Sequence, residues 1–451
     1  MLIKFYFKMN KFIILISAII FSANVIAQEI RHLTIKQAVD YAMENNYQII
    51  NAGKDVEAAK YLVKESTSIG LPQVDASVNY NDNIARPVMI LPPEFVQPGG
   101  SDKIQFGTKY DASLGASVSQ LLFSGEYIVG LQAARKYLEK TNTDYFKNRV
   151  EVKQQVSNSY YAALSAAEGL RIVDSTLRIT RKLANETREV FNVGFAEDID
   201  VDQLDLLVSD LEASALYLTN KFIISNAYLK FYLGLKDTDS IVLTDNMESI
   251  ISERHNSRLL TNPFNINQNV DFRSLTKQKE LSLLQVKLEK ASYMPSIAAN
   301  LNYQSQAQRD EWNFFSKEGA WYSSSVFGVK MQIPVFSSGQ RSSKVKQARI
   351  AYEQVEVMEK ELISQLNLQY DAAINEYMNA YRVFENKKTS RITAEKIYNK
   401  TTQKYIEGMS TSLDILNTHN QFLNAENEYI NSALLLLRTG EELEKILTKF
   451  E

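Results

Sequence analysis

The sequence predicts a mainly α-helical protein with a smaller β part built to cross a membrane. Three observations predict it. Four short segments alternate apolar and polar residues with period 2, the mark of a strand with one dry and one wet face. Two long stretches, from Gly125 to Gly194 and from Gly339 to Gly408, contain no proline and carry apolar residues at coiled-coil spacing. Both features occur twice, in the same order, behind an N-terminal secretion signal.

Lys8 and Lys11 precede an apolar run from Phe12 through Phe21, and Val25-Ile26-Ala27 supplies the cleavage positions. A signal over 1–27, cut after Ala27, follows; Met1 and Met9 are both possible starts. The run is too short for a membrane anchor, and no later stretch reaches the ~18 consecutive apolar residues of a membrane helix. Mean hydropathy is −0.25, which does not exclude membrane strands, because alternation barely raises the average.

Composition narrows the function classes. The 451 residues carry a net charge of −3, with no basic excess to attract nucleic acid. Cysteine is absent, which removes disulfides, thiolate metal sites, cysteine nucleophiles and a lipid-modified N-terminal cysteine. His32, His255 and His419 are far apart, and no phosphate-binding or dinucleotide-binding glycine motif occurs. An enzyme needs a convergent set of reactive groups. None is visible, so no catalysis, cofactor or metal is expected.

The internal repeat sets the domain plan. Leu71-Pro72-Gln73-Val74-Asp75-Ala76-Ser77-Val78-Asn79-Tyr80 is echoed by Met294-Pro295-Ser296-Ile297-Ala298-Ala299-Asn300-Leu301-Asn302-Tyr303. Phe123-Ser124-Gly125 is echoed by Phe336-Ser337-Ser338-Gly339, and Ala134-Arg135 by Ala348-Arg349. Phe191-Asn192-Val193-Gly194, with Asp200 beyond it, is echoed by Tyr405-Ile406-Glu407-Gly408 with Asp414 beyond it. The first repeat covers 28–235: a helical stretch near 34–70, strands near 72–82 and 108–122, a long helix near 126–192 and a return helix near 198–234. The segment 236–266 has no counterpart. The second repeat covers 267–451: a helical stretch near 267–292, strands near 295–308 and 321–336, a long helix near 341–406 and a return helix near 412–448.

Each strand has about the ten residues that a tilted strand needs to cross a bilayer, and Tyr80, Tyr303, Trp321 and Tyr322 sit at strand ends, where interfacial aromatics belong. Four strands cannot close a barrel, which takes at least about eight, and open edges are excluded from lipid. Other copies must therefore supply strands; three copies give a closed barrel of twelve with a wide lumen. A helix of roughly 65 residues is about 100 Å long. Ile363, Leu366, Tyr370, Ala373, Tyr377, Ala380 and Phe384 step along it in heptads, as do Leu204, Leu207, Leu211, Ala215, Leu218 and Phe222 on the first return helix. Ala162, Ala163, Ala166, Ala167, Ala372 and Ala373 let neighbouring helices approach closely.

This doubled plan with its two glycine turns resembles the TolC-type outer-membrane efflux family over nearly all of the mature chain. The resemblance implies a homotrimer whose 12-stranded β-barrel, four strands per protomer, continues as a long α-helical coiled-coil tunnel in the periplasm. Segment 236–266 would be its equatorial region. The loops near 82–108 and 309–320 would face outside the cell; Pro87, Pro92, Pro93, Pro98, Gly99 and Gly100 mark the first as irregular. The turns would form the periplasmic tip. Tyr405, Gly408 and Asp414 match the family's gate motif; a second acid of the family falls at Asn417 here, and a locking arginine falls near Ser410. Asp200 is the matching acid of the first turn. Asp198, Asp200, Asp202 and Asp414 also suit helix N-termini on dipole grounds alone. Phe191, Gly194 and Gly408 mark the turns where a periplasmic adaptor (membrane fusion) protein would dock, linking the channel to an inner-membrane pump of RND or ABC type. The implied function is a passive exit duct in the outer membrane, for efflux or for type I secretion, with the cargo unspecified. A soluble periplasmic coiled-coil scaffold or adaptor is the alternative.

Overall fold

The computed structural model describes residues 30–96, 100–255, 263–316 and 319–450. The secretion signal, its two possible starts, and Pro98 and Gly99 lie outside the described residues. In chain order the elements are β1 (Ile30–Leu33), α1 (Ile35–Asn45), α2 (Tyr47–Ser68), β2 (Gln73–Asp82), β3 (Val88–Ile90), β4 (Lys103–Gln105), β5 (Tyr110–Ser124), α3 (Gly125–Asn192), α4 (Asp198–Leu233), β6 (Ser240–Leu243), α5 (Met247–His255), α6 (Val270–Ala291), β7 (Ser296–Arg309), β8 (Tyr322–Gln332), α7 (Gln340–Ile406) and α8 (Ser412–Leu447). The order helix, strand, strand, long helix, shorter helix occurs at α2-β2-β5-α3-α4 and at α6-β7-β8-α7-α8. The described residues form two compact units. The long helices α3 and α7, of 68 and 67 residues, each contribute to both.

One unit comprises residues 52–145 and 270–364. Its sheet is antiparallel, in the order β2-β5-β7-β8. The register makes apolar rows across all four strands: Val74 faces Val118, Val118 faces Leu301, and Leu301 faces Phe327. Asp75, Ser117 and Asn302 form the neighbouring polar row, pointing to the other face. Among the described residues these rows stay largely exposed, except at the loop end, where Ala307 is buried and Phe314 packs on Tyr80. Val74 is 72% exposed and Phe327 71%. Every residue of β2 is exposed, as is nearly every residue of β8, and these are the two edge strands.

The β2–β5 loop, expected to be irregular from its prolines, carries a short antiparallel ribbon of β3 and β4 and a 3-10 turn at Pro93–Phe95. Three-residue strands are too short for alternation to reveal.

The other unit comprises residues 30–51, 146–269 and 365–450 of the described chain. Its core is the helical seam. Leu366, Ala373, Tyr377, Ala380 and Phe384 of α7 are buried, as are Leu204, Leu207, Leu211 and Leu218 of α4. Val173 and Leu177 of α3 pack with Leu207, Leu211 and Leu218. Fully burying one leucine-sized side chain contributes about 1.5–3 kcal/mol, so the heptad face is the main source of cohesion here.

Two local features differ from the sequence expectation. The helical stretch near 34–70 is broken at Asn46, whose ψ of 132° is extended. Its amide donates to the Tyr232 carbonyl at 2.7 Å, and its Oδ1 accepts the Gln48 N–H at 2.8 Å. The first residues also form β1, paired in parallel with β6, so the segment after the first return helix is stitched to the N-terminal strand. Tyr160 tightens this stitch: its hydroxyl lies 2.9 Å from the Leu33 carbonyl and 3.0 Å from the Asp245 carboxylate. Among the described residues no helix is long and apolar enough to cross a membrane.

Candidate functional site at the paired helical turns

The helical unit places the two glycine turns together. α3 ends with Gly194 at φ +83°, the left-handed conformation that glycine adopts without steric cost. The Phe195 N–H reaches back to the Val190 carbonyl at 3.0 Å, and the Gly194 N–H to Phe191 at 2.9 Å. α7 ends in the same way at Gly408, φ +73°, with Met409 donating to Lys404 at 2.7 Å and Gly408 to Tyr405 at 2.9 Å. Both turns satisfy the last carbonyls of a long helix while reversing the chain.

The return helices start on capping chemistry. Thr411 caps α8: its hydroxyl accepts the Asp414 N–H at 3.2 Å, and Asp414 Oδ2 accepts the Thr411 N–H at 3.0 Å. The same carboxylate oxygen accepts the Thr411 and Ser410 hydroxyls at 2.8 and 3.1 Å. The Thr411 backbone and hydroxyl, and then the Ser410 hydroxyl, hold the Asp414 carboxyl below the usual carboxylate range. Asp414 is thus an exposed capping acid tied to its own turn, and Asn417, one helical turn on, is exposed as well. At the first turn Glu197 precedes α4, and its N–H is accepted by Asp200 at 3.2 Å.

Across the two turns, side chains that the sequence did not connect form a polar cluster. The buried Ser412 hydroxyl is bonded to the Asp200 carboxylate and lies 2.8 Å from Gln203 Oε1. Tyr405 and Thr187 hydroxyls meet at 3.0 Å. Beneath them sits an apolar plug of Leu183, Ala184, Leu204 and Ile415, against which the Tyr405 ring packs. Burial raises the Tyr405 pKa above its ordinary value; the Thr187 hydrogen bond opposes this and the Asp200 charge adds to it. A cleft of about 970 Å³ runs between the turns, with Thr187, Gly194, Asp200, Tyr405 and Gly408 in its wall. Asp414 and Asn417 are not among the residues that line it. Thr187 and Gln203 were missed by sequence reasoning; Ser412 lies in the stretch Ser410–Ser412 that reads as a helix start, but its link to Asp200 was not foreseen. The pattern Thr411-x-x-Asp414 was readable as a capping box, whereas nothing in the sequence singled out Thr187 or Gln203.

The turns expose large apolar side chains among polar ones such as Asn192 and Glu407. Phe191, Val193 and Phe195 are 41%, 68% and 85% exposed, and Ile406 and Met409 are 69% and 65% exposed. The arrangement holds no nucleophile with a base, and among the described residues no group of three His, Cys, Asp or Glu could hold a metal ion.

The four-stranded sheet with bare edges and the coiled-coil helices ending in paired glycine turns are the features of an outer-membrane channel chain. The chain belongs to the outer membrane efflux protein family, whose model matches residues 38–235 and 266–449. It is 23% identical to the outer membrane protein TolC of Vibrio cholerae over 399 residues, which are 85% of this chain and 83% of that one. Its fold is similar to that of the Campylobacter jejuni CmeC outer membrane channel, with a TM-score of 0.71 at 17% identity over 92% of this chain and 85% of the other. It is equally similar to CusC, a protein whose structure is described in terms of transmembrane channel formation: TM-score 0.71 and 15% identity over 92% of each chain.

Proposed function

We propose that three copies of this chain assemble into a 12-stranded barrel in the outer membrane, continued by a helical tunnel in the periplasm, and serve as the passive exit duct of an efflux or type I secretion machine. The observation that carries this reading is the sheet with two unpaired edges and largely exposed apolar rows. An unpaired backbone group in lipid costs several kcal/mol, and β2 and β8 expose a full row each. Pairing β8 of one copy with β2 of the next removes every edge once the ring closes. The helices support the same count. α4 buries Leu204, Leu207 and Leu211 yet exposes Leu216, Tyr217, Ile224, Tyr228 and Phe231 on its other side, and a helix apolar on all sides belongs inside an assembly. The doubled element order is read as an internal duplication, so that three chains present six similar turns at the tip.

In this reading the Asp200–Ser412 and Tyr405–Thr187 bonds hold the tip closed, Asp414 and Asn417 face the pore from its rim, and Asp200 lies behind them. The turns around Phe191, Gly194 and Gly408 receive the hairpins of a periplasmic adaptor, which couples the duct to an inner-membrane pump. The first test is the mass of the particle extracted from outer membranes, with detergent subtracted. Three chains per particle are expected; a single chain that still conducts would overturn the reading.

A further inference from the structure

The ribbon in the β2–β5 loop has one mainly apolar face, with the exposed Asp102, opposite Leu91, at its far end. Met89 lies opposite Ile104, and the period of 2 puts Pro87 and Phe106 on that same side, where Phe106 N–H donates to the Pro87 carbonyl at 3.0 Å. The other side is mixed, with Val88 opposite Gln105 and Ile90 opposite Lys103. Met89, Ile104 and Phe106 are 54%, 41% and 50% exposed, so the chain leaves this face largely bare. A lone two-stranded ribbon is marginal in water, and bare contiguous apolar surface marks an interaction site.

The ribbon is nonetheless held in place. Arg86 pairs with Asp310 at 3.0 Å, and the same carboxylate accepts the Lys109 N–H at 3.1 Å. Asp310 opens the β7–β8 loop, which carries a second bare feature: Trp312 and Phe315, 61% and 88% exposed, edge to face at 6.0 Å.

Topology selects the occupant. The ribbon belongs to the loop of edge strand β2, and Trp312 and Phe315 to the loop of edge strand β8, at the same end of the sheet. In a ring closed by edge pairing, β8 of one copy lies beside β2 of the next, which brings one copy's aromatic pair beside the next copy's ribbon. We propose that the Met89, Ile104 and Phe106 face docks on Trp312 and Phe315 of the neighbouring copy, forming an apolar clasp beyond the membrane at each barrel seam. The clasp rests on the trimeric-barrel reading.

The chain contains no cysteine, so the double variant Met89→Cys/Phe315→Cys tests it by mild oxidation of purified particles. Covalent dimers and trimers on denaturing gels are expected, with each single variant remaining monomeric. Particles of three chains that give no link, or only a link within one chain, would overturn the clasp and leave the trimer standing. Particles of one chain would sink the barrel reading itself. Should the double variant fail to assemble, Ile104→Asp in the native chain decides. A lower dissociation temperature of the three-chain particle is expected; an unchanged one overturns the clasp. Strong quenching of a fluorophore at Met89→Cys by brominated lipid would assign the face to lipid and overturn it too.

Discussion

Replacing Ser412 by alanine isolates the tip lock. Ser412 is 3% exposed and is bonded through its hydroxyl to the Asp200 carboxylate. A hydrogen bond to a charged group is worth about 1.5–3 kcal/mol. Ser412 is the first residue of α8, while Thr411 is the cap, so alanine leaves the capping box intact and has the better helix propensity. If the Asp200–Ser412 bond exists in the closed tip and breaks in the open one, its loss shifts the closed-to-open equilibrium by on the order of ten- to a hundredfold, since 1.4 kcal/mol is a factor of ten. Single channels in planar bilayers give the open probability directly. Ser412→Ala is expected to open far more often than wild type, whereas Ser412→Thr, which keeps a hydroxyl, stays close to wild type. Equal open probabilities for alanine and wild type would refute the lock, and so would a threonine variant as leaky as the alanine one.

Three further outcomes follow from the same helical unit. Glu426 is 4% exposed and accepts from Arg391 at 2.8 Å, while Arg391 also faces Glu248 at 3.8 Å and the Tyr429 ring at 4.8 Å. Arg391→Met strands a buried carboxylate and is expected to cost about 3–5 kcal/mol, with Arg391→Met/Glu426→Met recovering most of it. Burial raises the Glu426 pKa despite the opposing Arg391. The single variant's melting temperature should therefore improve as pH falls toward the ordinary carboxylate value and worsen as it rises. His419 is fully buried, neither ring nitrogen has a hydrogen-bond partner among the described residues, and burial pushes its pKa down to about 4. Because the unfolded chain takes up that proton first, stability falls as pH drops from about 6.5 toward 4; thermal melts of His419→Phe should lose that slope, which amounts to about 3 kcal/mol at most. Asp414→Ala is expected to raise conductance or weaken cation block at the periplasmic mouth, and no change in either measurement removes Asp414 from the pore.

The parts of this fold legible in the sequence are those governed by a local period. Alternation is a local signal, so Val74, Ala76 and Val78 mark β2 without help from any other segment. A coiled-coil seam keeps its heptad, so Leu366, Ala373, Tyr377 and Phe384 are recognisable as core before any partner is known. The break at Asn46 carries neither glycine nor proline. It exists because the Asn46 amide finds the Tyr232 carbonyl, a contact set by tertiary packing. The β1–β6 pairing is four residues long and equally invisible to periodicity.

The candidate site divides along the same line. Gly194 and Gly408 are legible because a reversed helix end demands a left-handed residue, and Asp414 because capping acts within one turn. The Asp200–Ser412 and Tyr405–Thr187 bonds join segments about two hundred residues apart, and many hydroxyls on these helices are chemically equal candidates. Only the packing of α3, α4, α7 and α8 around Leu183, Leu204 and Ile415 selects among them. The geometry of the polar bonds therefore depends on the apolar plug that packs beneath them. A variant that loosens the plug, such as Ile415→Ala, should unlock the tip as Ser412→Ala does, but with a loss of thermal stability that the serine variant lacks.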